Sequence, residues 1–158
     1  MNIEIVMKDG GVIKAELYPE VAPITVENFK KLIEEDFFAG LIFHRVIAGF
    51  MIQGGGFTAD GEHKETASIK GEFDSNGVPN NLKHTRGVLS MARTMFPNSA
   101  SSQFFIMHED APHLDGQYAA FGKVTDGMDV VDRIAECATD MSDKPFEDQV
   151  IETIRMCD

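Results

Sequence analysis

With 158 residues, 43% of them hydrophobic, the chain can bury one closed core and leaves no room for a second domain, so residues 1–158 read as a single unit. Fourteen basic residues against twenty-six acidic ones give a formal charge of −12, which opposes the phosphate contacts of nucleic-acid binding and disfavours anionic membranes. Neither nucleic acid nor membrane is expected as a partner.

The elements follow in chain order. Ile3, Ile5 and Met7 alternate with polar neighbours, Asp9-Gly10-Gly11 makes a turn, and Ile13, Ala15 and Leu17 alternate again, which predicts a β-hairpin. Pro19 and Pro23 punctuate its exit. Val26, Phe29 and Ile33 then take helical spacing, and that helix ends near Phe37 to Gly40. Leu41 to Ile47 and Phe50 to Gln53 read as two strands meeting at Ala48-Gly49, with Gly54-Gly55-Gly56 supplying a sharp change of direction. Thr58 to Arg86 is polar and turn-rich, a long surface loop around at most a short strand at Ser68 to Gly71. Strands return at Gly87 to Ala92, Gln103 to Met107 and Tyr118 to Val124. Met128, Val131, Ile134 and Ala135 mark a second helix, and Val150 to Met156 a closing strand. About eight strands and two helices without a β-α-β rhythm predict a mainly β fold: a closed antiparallel eight-stranded barrel capped by two α-helices.

Several chemistries lack their residues. Gly54-x-Gly56-x-x-Ala59 matches a relaxed dinucleotide fingerprint, yet polar loop follows it where a helix N-terminus is required, so no cofactor is expected. The five histidines, 44, 63, 84, 108 and 113, show no metal-ligand spacing and read as scattered polar or core residues. Serines 90, 99, 101 and 102 lie outside any G-x-S-x-G elbow, which leaves hydrolysis without a nucleophile. From Val124 to Asp158 ten acidic residues face three basic ones, read as a solvated face rather than a docking surface. No secretory signal opens the chain, no N-x-[ST] acceptor occurs, and Cys137 and Cys157 form no C-x-x-C pair; a reducing cytoplasm fits best.

An apolar pocket with a few donors remains. By spacing alone Phe50, Met51, Phe104, Phe105 and Leu114 read as core, and Arg45 as a surface ion-pair partner. The chain nevertheless carries, in order, P-x-T-V-E-N-F, F-H-R-V-I-x-G-F-M-I-Q-G-G, L-S-M-A-R, S-Q-F-F-I, L-D-G and F-G-K-V followed by G-M-D-V-V-D. In this it resembles the cyclophilin family of peptidyl-prolyl isomerases, specifically the bacterial single-domain members. The resemblance implies that Arg45 is the catalytic arginine with Gln53 beside it, and that Phe50, Met51, Phe105 and Leu114 wall a proline pocket. It implies that Ala92 and Arg93 run along the peptide backbone and that Gln103 contacts substrate. Three positions depart from the common pattern: His113 stands where many members have tryptophan, Tyr118 where many have histidine, and Arg93 where asparagine is common. Tyr118 still offers the pocket an aromatic face and a hydroxyl.

The partners so implied are proline-containing peptides and unfolded or folding proteins, with weakened affinity for cyclosporin because of His113. A monomer is expected, with no cofactor and no metal. The chemistry would be non-covalent, since an arginine keeps its proton and no nucleophile accompanies it. The competing reading is a proline-peptide-binding holdase whose turnover is incidental.

Overall fold

The computed structural model describes residues 1–157. Strand β1 (Asn2–Met7) pairs antiparallel with β2 (Val12–Leu17), setting Ile3 opposite Ala15 and Ile5 opposite Ile13, so the predicted hairpin forms around a turn in which Asp9 Oδ1 accepts from the Gly11 N–H at 2.9 Å. Helix α1 (Pro23–Glu34) buries Val26, Phe29, Leu32 and Ile33 and stops at Glu34; the next residues leave it through hydrogen-bonded turns rather than continuing to Gly40. Strands β3 (Leu41–Ile47), β4 (Met51–Thr58), β5 (Val88–Met91), β6 (Phe104–Met107) and β7 (Ala120–Asp126) follow, then α2 (Met128–Ala135) and β8 (Ile151–Met156).

The eight strands form one sheet in the order β3-β4-β6-β5-β7-β2-β1-β8, with every neighbouring pair antiparallel. Its two edges meet where Gly40 N–H donates to Ile151 O at 2.8 Å and Phe43 N–H to Gln149 O at 3.0 Å, nearly closing a barrel and leaving little strand edge exposed. Phenylalanines fill the interior: Phe29 from α1 lies 5.3 Å from Phe104 and 5.1 Å from Phe121, and Phe43 lies 5.9 Å from Phe104. Among the described residues no helix is long and apolar enough to cross a membrane.

Two expectations change. The triple glycine does not turn the chain, because Gly54, Gly55 and Gly56 all lie inside β4. They are needed for close approach: a Cβ on Gly54 would come within 2.7 Å of Ile42 O, and Gly55 holds φ at +91°. Nor does Ser68 to Gly71 form a strand. Its donors go singly to the 98–100 segment, Ile69 N–H to Ala100 O at 2.8 Å and Gly71 N–H to Asn98 Oδ1 at 3.0 Å, which leaves no ladder to propagate.

The long loop is instead tied to α1. Ala22, at the helix N-cap, has no side-chain acceptor to offer, and the buried carboxylate of Glu72 takes that role from 47 residues away. Its Oε1 accepts from Thr25 N–H at 2.7 Å and from Thr25 Oγ1 at 2.8 Å. Glu72→Ala should therefore cost roughly 2–3 kcal/mol in urea unfolding, the range for buried hydrogen bonds to a charged acceptor at a helix start. A midpoint equal to wild type would refute this capping role.

Candidate active site

The barrel wall has two apolar faces. On β6, Phe104 and Ile106 point into the interior, whereas Phe105 and Met107 point outward and join a separate cluster with Met51, Val88, Leu114 and, partly buried, Phe50, Ala92 and Tyr118. The register lines up Arg45, Gln53, Phe105 and Ser90 side by side across β3, β4, β6 and β5. This row carries the site.

Simple alternation would put Arg45 on the wrong side. Phe43 is fully buried in the interior, and a residue two positions later should face the same way. But β3 pairs Phe43 with Gly54 and Arg45 with Gln53, so one extra residue, His44, is accommodated between them. That β-bulge reverses the alternation: Val46 returns to the core, and Arg45 emerges on the outer face. The displaced His44 ring packs 4.6 Å from Phe57, and burial, with the Arg45 charge beside it, lowers its pKa to about 4.

On that outer face Arg45, Phe50, Met51, Gln53, Ala92, Arg93, Phe105, Leu114 and Tyr118 surround one cavity of ≈150 Å³. Gln103 stands apart from it. It lines a neighbouring cavity of ≈210 Å³ with Gln53, Ala92, Arg93, Thr94 and Ser99, and its Oε1 accepts from Gln53 Nε2 at 3.0 Å. The two arginines differ in what they are free to do. Arg93 donates through Nε and Nη2 to Gln117 O at 3.1 and 2.6 Å and through Nη1 to Thr94 O at 2.9 Å, while its guanidinium lies 4.7 Å from the Tyr118 ring centre and 4.6 Å from that of Phe73. Among the described residues Arg45 takes part in no ion pair, so its charge stays available at the cavity rim. The walls are fixed by ring contacts: Tyr118 meets Phe105 edge-on at 5.7 Å, and His113 stacks on Phe50 at 5.9 Å.

Sequence reasoning missed a buried polar chain behind this wall. Asp115 Oδ1 accepts from the His84 backbone N–H at 2.6 Å and lies 3.0 Å from His84 Nδ1, while His84 Nε2 lies 2.8 Å from Ser90 Oγ. A carboxylate only accepts, so Nδ1 carries the ring proton and Nε2 accepts from the Ser90 hydroxyl. Burial lowers the His84 pKa in spite of the Asp115 carboxylate, and so favours the neutral ring. The residue order imitates a hydrolytic triad, but Ser90 is completely buried and the His84 ring stacks 6.0 Å from Phe105, so no substrate carbonyl can reach the hydroxyl. The chain instead ties together β5, the back of Phe105 and the turn Pro112–Leu114, whose C-cap is Asp115. One cue was readable: a lone serine within Val88-Leu89-Ser90-Met91 demands a buried partner.

A second polar cluster holds the other end of the pocket. His108 Nδ1 accepts from Gly49 N–H at 2.8 Å, its Nε2 lies 3.2 Å from Asp132 Oδ1, and Arg86 donates to both Asp132 oxygens at 2.8 Å. His108, Asp132 and Glu136 could in principle ligate a metal, yet the Arg86 guanidinium already occupies both oxygens of Asp132. What the cluster does is fasten the turn before Phe50 to α2.

The outer wall of the barrel thus carries a cavity that sets Arg45, Gln53 and Arg93 beside aromatic and aliphatic side chains, and comparison with known proteins identifies the class of protein that it belongs to. Residues 2–156 match the family model described as cyclophilin type peptidyl-prolyl cis-trans isomerase/CLD. The chain is 50% identical to a peptidyl-prolyl cis-trans isomerase of Acinetobacter baylyi, over 87% of this chain and 74% of that one. It is 44% identical to peptidyl-prolyl cis-trans isomerase B of Escherichia coli, over 91% of this chain and 93% of that one. Among solved structures, a Cryptosporidium parvum cyclophilin type isomerase, crystallised in the presence of the dipeptide Ala-Pro, superposes with a TM-score of 0.85 at 32% identity, covering 100% of this chain and 99% of the other. The chain belongs to the cyclophilin family, and its activity is peptidyl-prolyl cis-trans isomerisation.

Proposed function

We propose that the ≈150 Å³ cavity seats the proline ring of an X–Pro peptide and that Arg45 stabilises the twisted amide. The observation that carries this reading is the Arg45 guanidinium, in no ion pair among the described residues, at the rim of a cavity whose walls include Phe50, Met51, Phe105 and Leu114. An X–Pro bond isomerises slowly because rotation removes amide resonance, at a barrier of roughly 20 kcal/mol. As the bond twists, the prolyl nitrogen regains a lone pair. Arg45 can donate a hydrogen bond to that lone pair in the transition state but hardly in the planar ground state, and such differential binding lowers the barrier. Phe50, Met51, Phe105 and Leu114 hold the pyrrolidine while the preceding carbonyl swings. Gln53, oriented by Gln103, and the Ala92–Arg93 backbone hold the flanking peptide.

Exchange NMR on a short X–Pro peptide tests the reading, with accelerated cis/trans exchange and saturable binding in the same cavity expected. Saturable binding with no acceleration would point to a holdase instead.

No proton transfer is involved, so the rate should be nearly flat between about pH 6 and 9, where arginine does not titrate. His44, held at about 4, stays neutral across that window, and burial shifts His84 downward toward its acid side. A bell-shaped profile would replace this mechanism with acid–base chemistry.

A further inference from the structure

Two large apolar side chains lie beside the site with nothing covering them. Met95 is 85% and Phe96 70% exposed. Their chain neighbours are part of the groove: Arg93 lines both cavities, and Thr94 and Ser99 line the second. The loop that presents them is held by a closed set of hydrogen bonds. Thr94 N–H and Thr94 Oγ1 donate to Ser99 Oγ, each at 2.9 Å; Ser99 Oγ donates to Phe96 O at 2.7 Å; Phe96 N–H donates to Thr94 Oγ1 at 3.2 Å. Arg93 braces the same loop through Thr94 O. The exposure is thus built into an ordered segment, and little further ordering is needed when a ligand arrives. Charge agrees with this placement. The chain has twenty-six acidic residues, yet none lies between Arg86 and His108. The segment that presents Met95 and Phe96 therefore contributes no carboxylate of its own, within an acidic protein.

We propose that Met95 and Phe96 form an apolar lip that extends the substrate groove and gives the enzyme a preference for X–Pro sites flanked, within a few residues, by an aromatic or long aliphatic side chain. This rests on the proline-pocket reading and adds a substrate class to it. Such flanks are exposed in unfolded chains and hidden in folded ones. Methionine, with three rotatable bonds and a polarizable sulfur, adapts to many partner shapes, and Phe96 supplies a rigid face.

The test uses two peptides of equal length and identical X–Pro core, one carrying leucine and phenylalanine in its flanks and the other alanine. Exchange NMR measures kcat/KM for the wild type and for the double variant Met95→Ser/Phe96→Ser. The wild type is expected to favour the apolar-flanked peptide about tenfold, the worth of partly burying one large side chain. The double variant should reduce that ratio to below about twofold while turning over the alanine-flanked peptide at the wild-type rate. Equal loss on both peptides, or no discrimination by the wild type, would overturn the lip. Arg45→Ala run on the alanine-flanked peptide separates the two readings: undiminished turnover there would sink the pocket assignment and the lip with it.

Discussion

Arg45→Ala is expected to lower kcat/KM on a short X–Pro peptide by on the order of 100-fold, the usual consequence of removing one preorganised donor aimed at developing electron density. The loss should fall mainly on kcat, because the guanidinium meets the prolyl lone pair only once the amide has twisted. Stability should barely change. Arg45 is exposed and takes part in no ion pair among the described residues, so its removal leaves no buried group unsatisfied. Arg45→Lys should recover only part of the rate, since an ammonium on a flexible stem lacks the planar fork. Wild-type turnover by the alanine variant, with folding intact by circular dichroism, would remove Arg45 from the mechanism.

His84→Leu should show the opposite balance, a stability loss of about 3 kcal/mol together with weaker substrate binding. Leucine fills much of the space but strands the buried Ser90 hydroxyl, which costs roughly 1–3 kcal/mol, and removes the ring hydrogen bond to Asp115, which keeps only the backbone N–H of residue 84. Phe105 also loses the ring stacked 6.0 Å behind it, and Leu114 loses the tether that fixes its turn, so the proline pocket should loosen and KM rise. Urea unfolding and peptide kinetics measure the two effects separately. Ser90→Ala removes only the distal bond, and a cost near 1 kcal/mol with modest KM change should follow. If His84→Leu leaves both the unfolding midpoint and KM untouched, the buried chain does not support the pocket.

How far the sequence could be read depended on whether a feature is local. The opening hairpin and α2 were legible because their alternation and helical spacing are complete within a few residues. Strand β6 was harder, since Phe104 to Met107 is apolar throughout: one face lines the interior and the other backs the pocket, so no alternation shows. The triple glycine was misread because its reason lies across the sheet, in the backbone of β3 passing close to Gly54. The pocket residues could be named only through the ordered motifs that match the family. Spacing alone left them as core, as an outward-facing hydrophobic cluster looks identical to an inward-facing one in the sequence. His84 and His108 could be read only as polar or core histidines, and Glu72 and Asp115 not at all, because the partners that give Glu72, Asp115 and His108 their roles lie 47, 31 and 59 residues away.

The supernumerary residue in β3 makes this segment tolerant of two kinds of genetic change. Substituting His44 would leave the strand's reading frame intact, and the guanidinium would still point outward. Losing that codon would leave the pairs on either side, Phe43 with Gly54 and Arg45 with Gln53, adjacent in an ordinary ladder, with the cation still outward and Val46 still inward, but without the local twist that the extra residue adds. Replacement and loss of His44 should thus both leave a folded barrel, and the turnover that remains, rather than the unfolding midpoint, should report how far the extra residue aims the guanidinium.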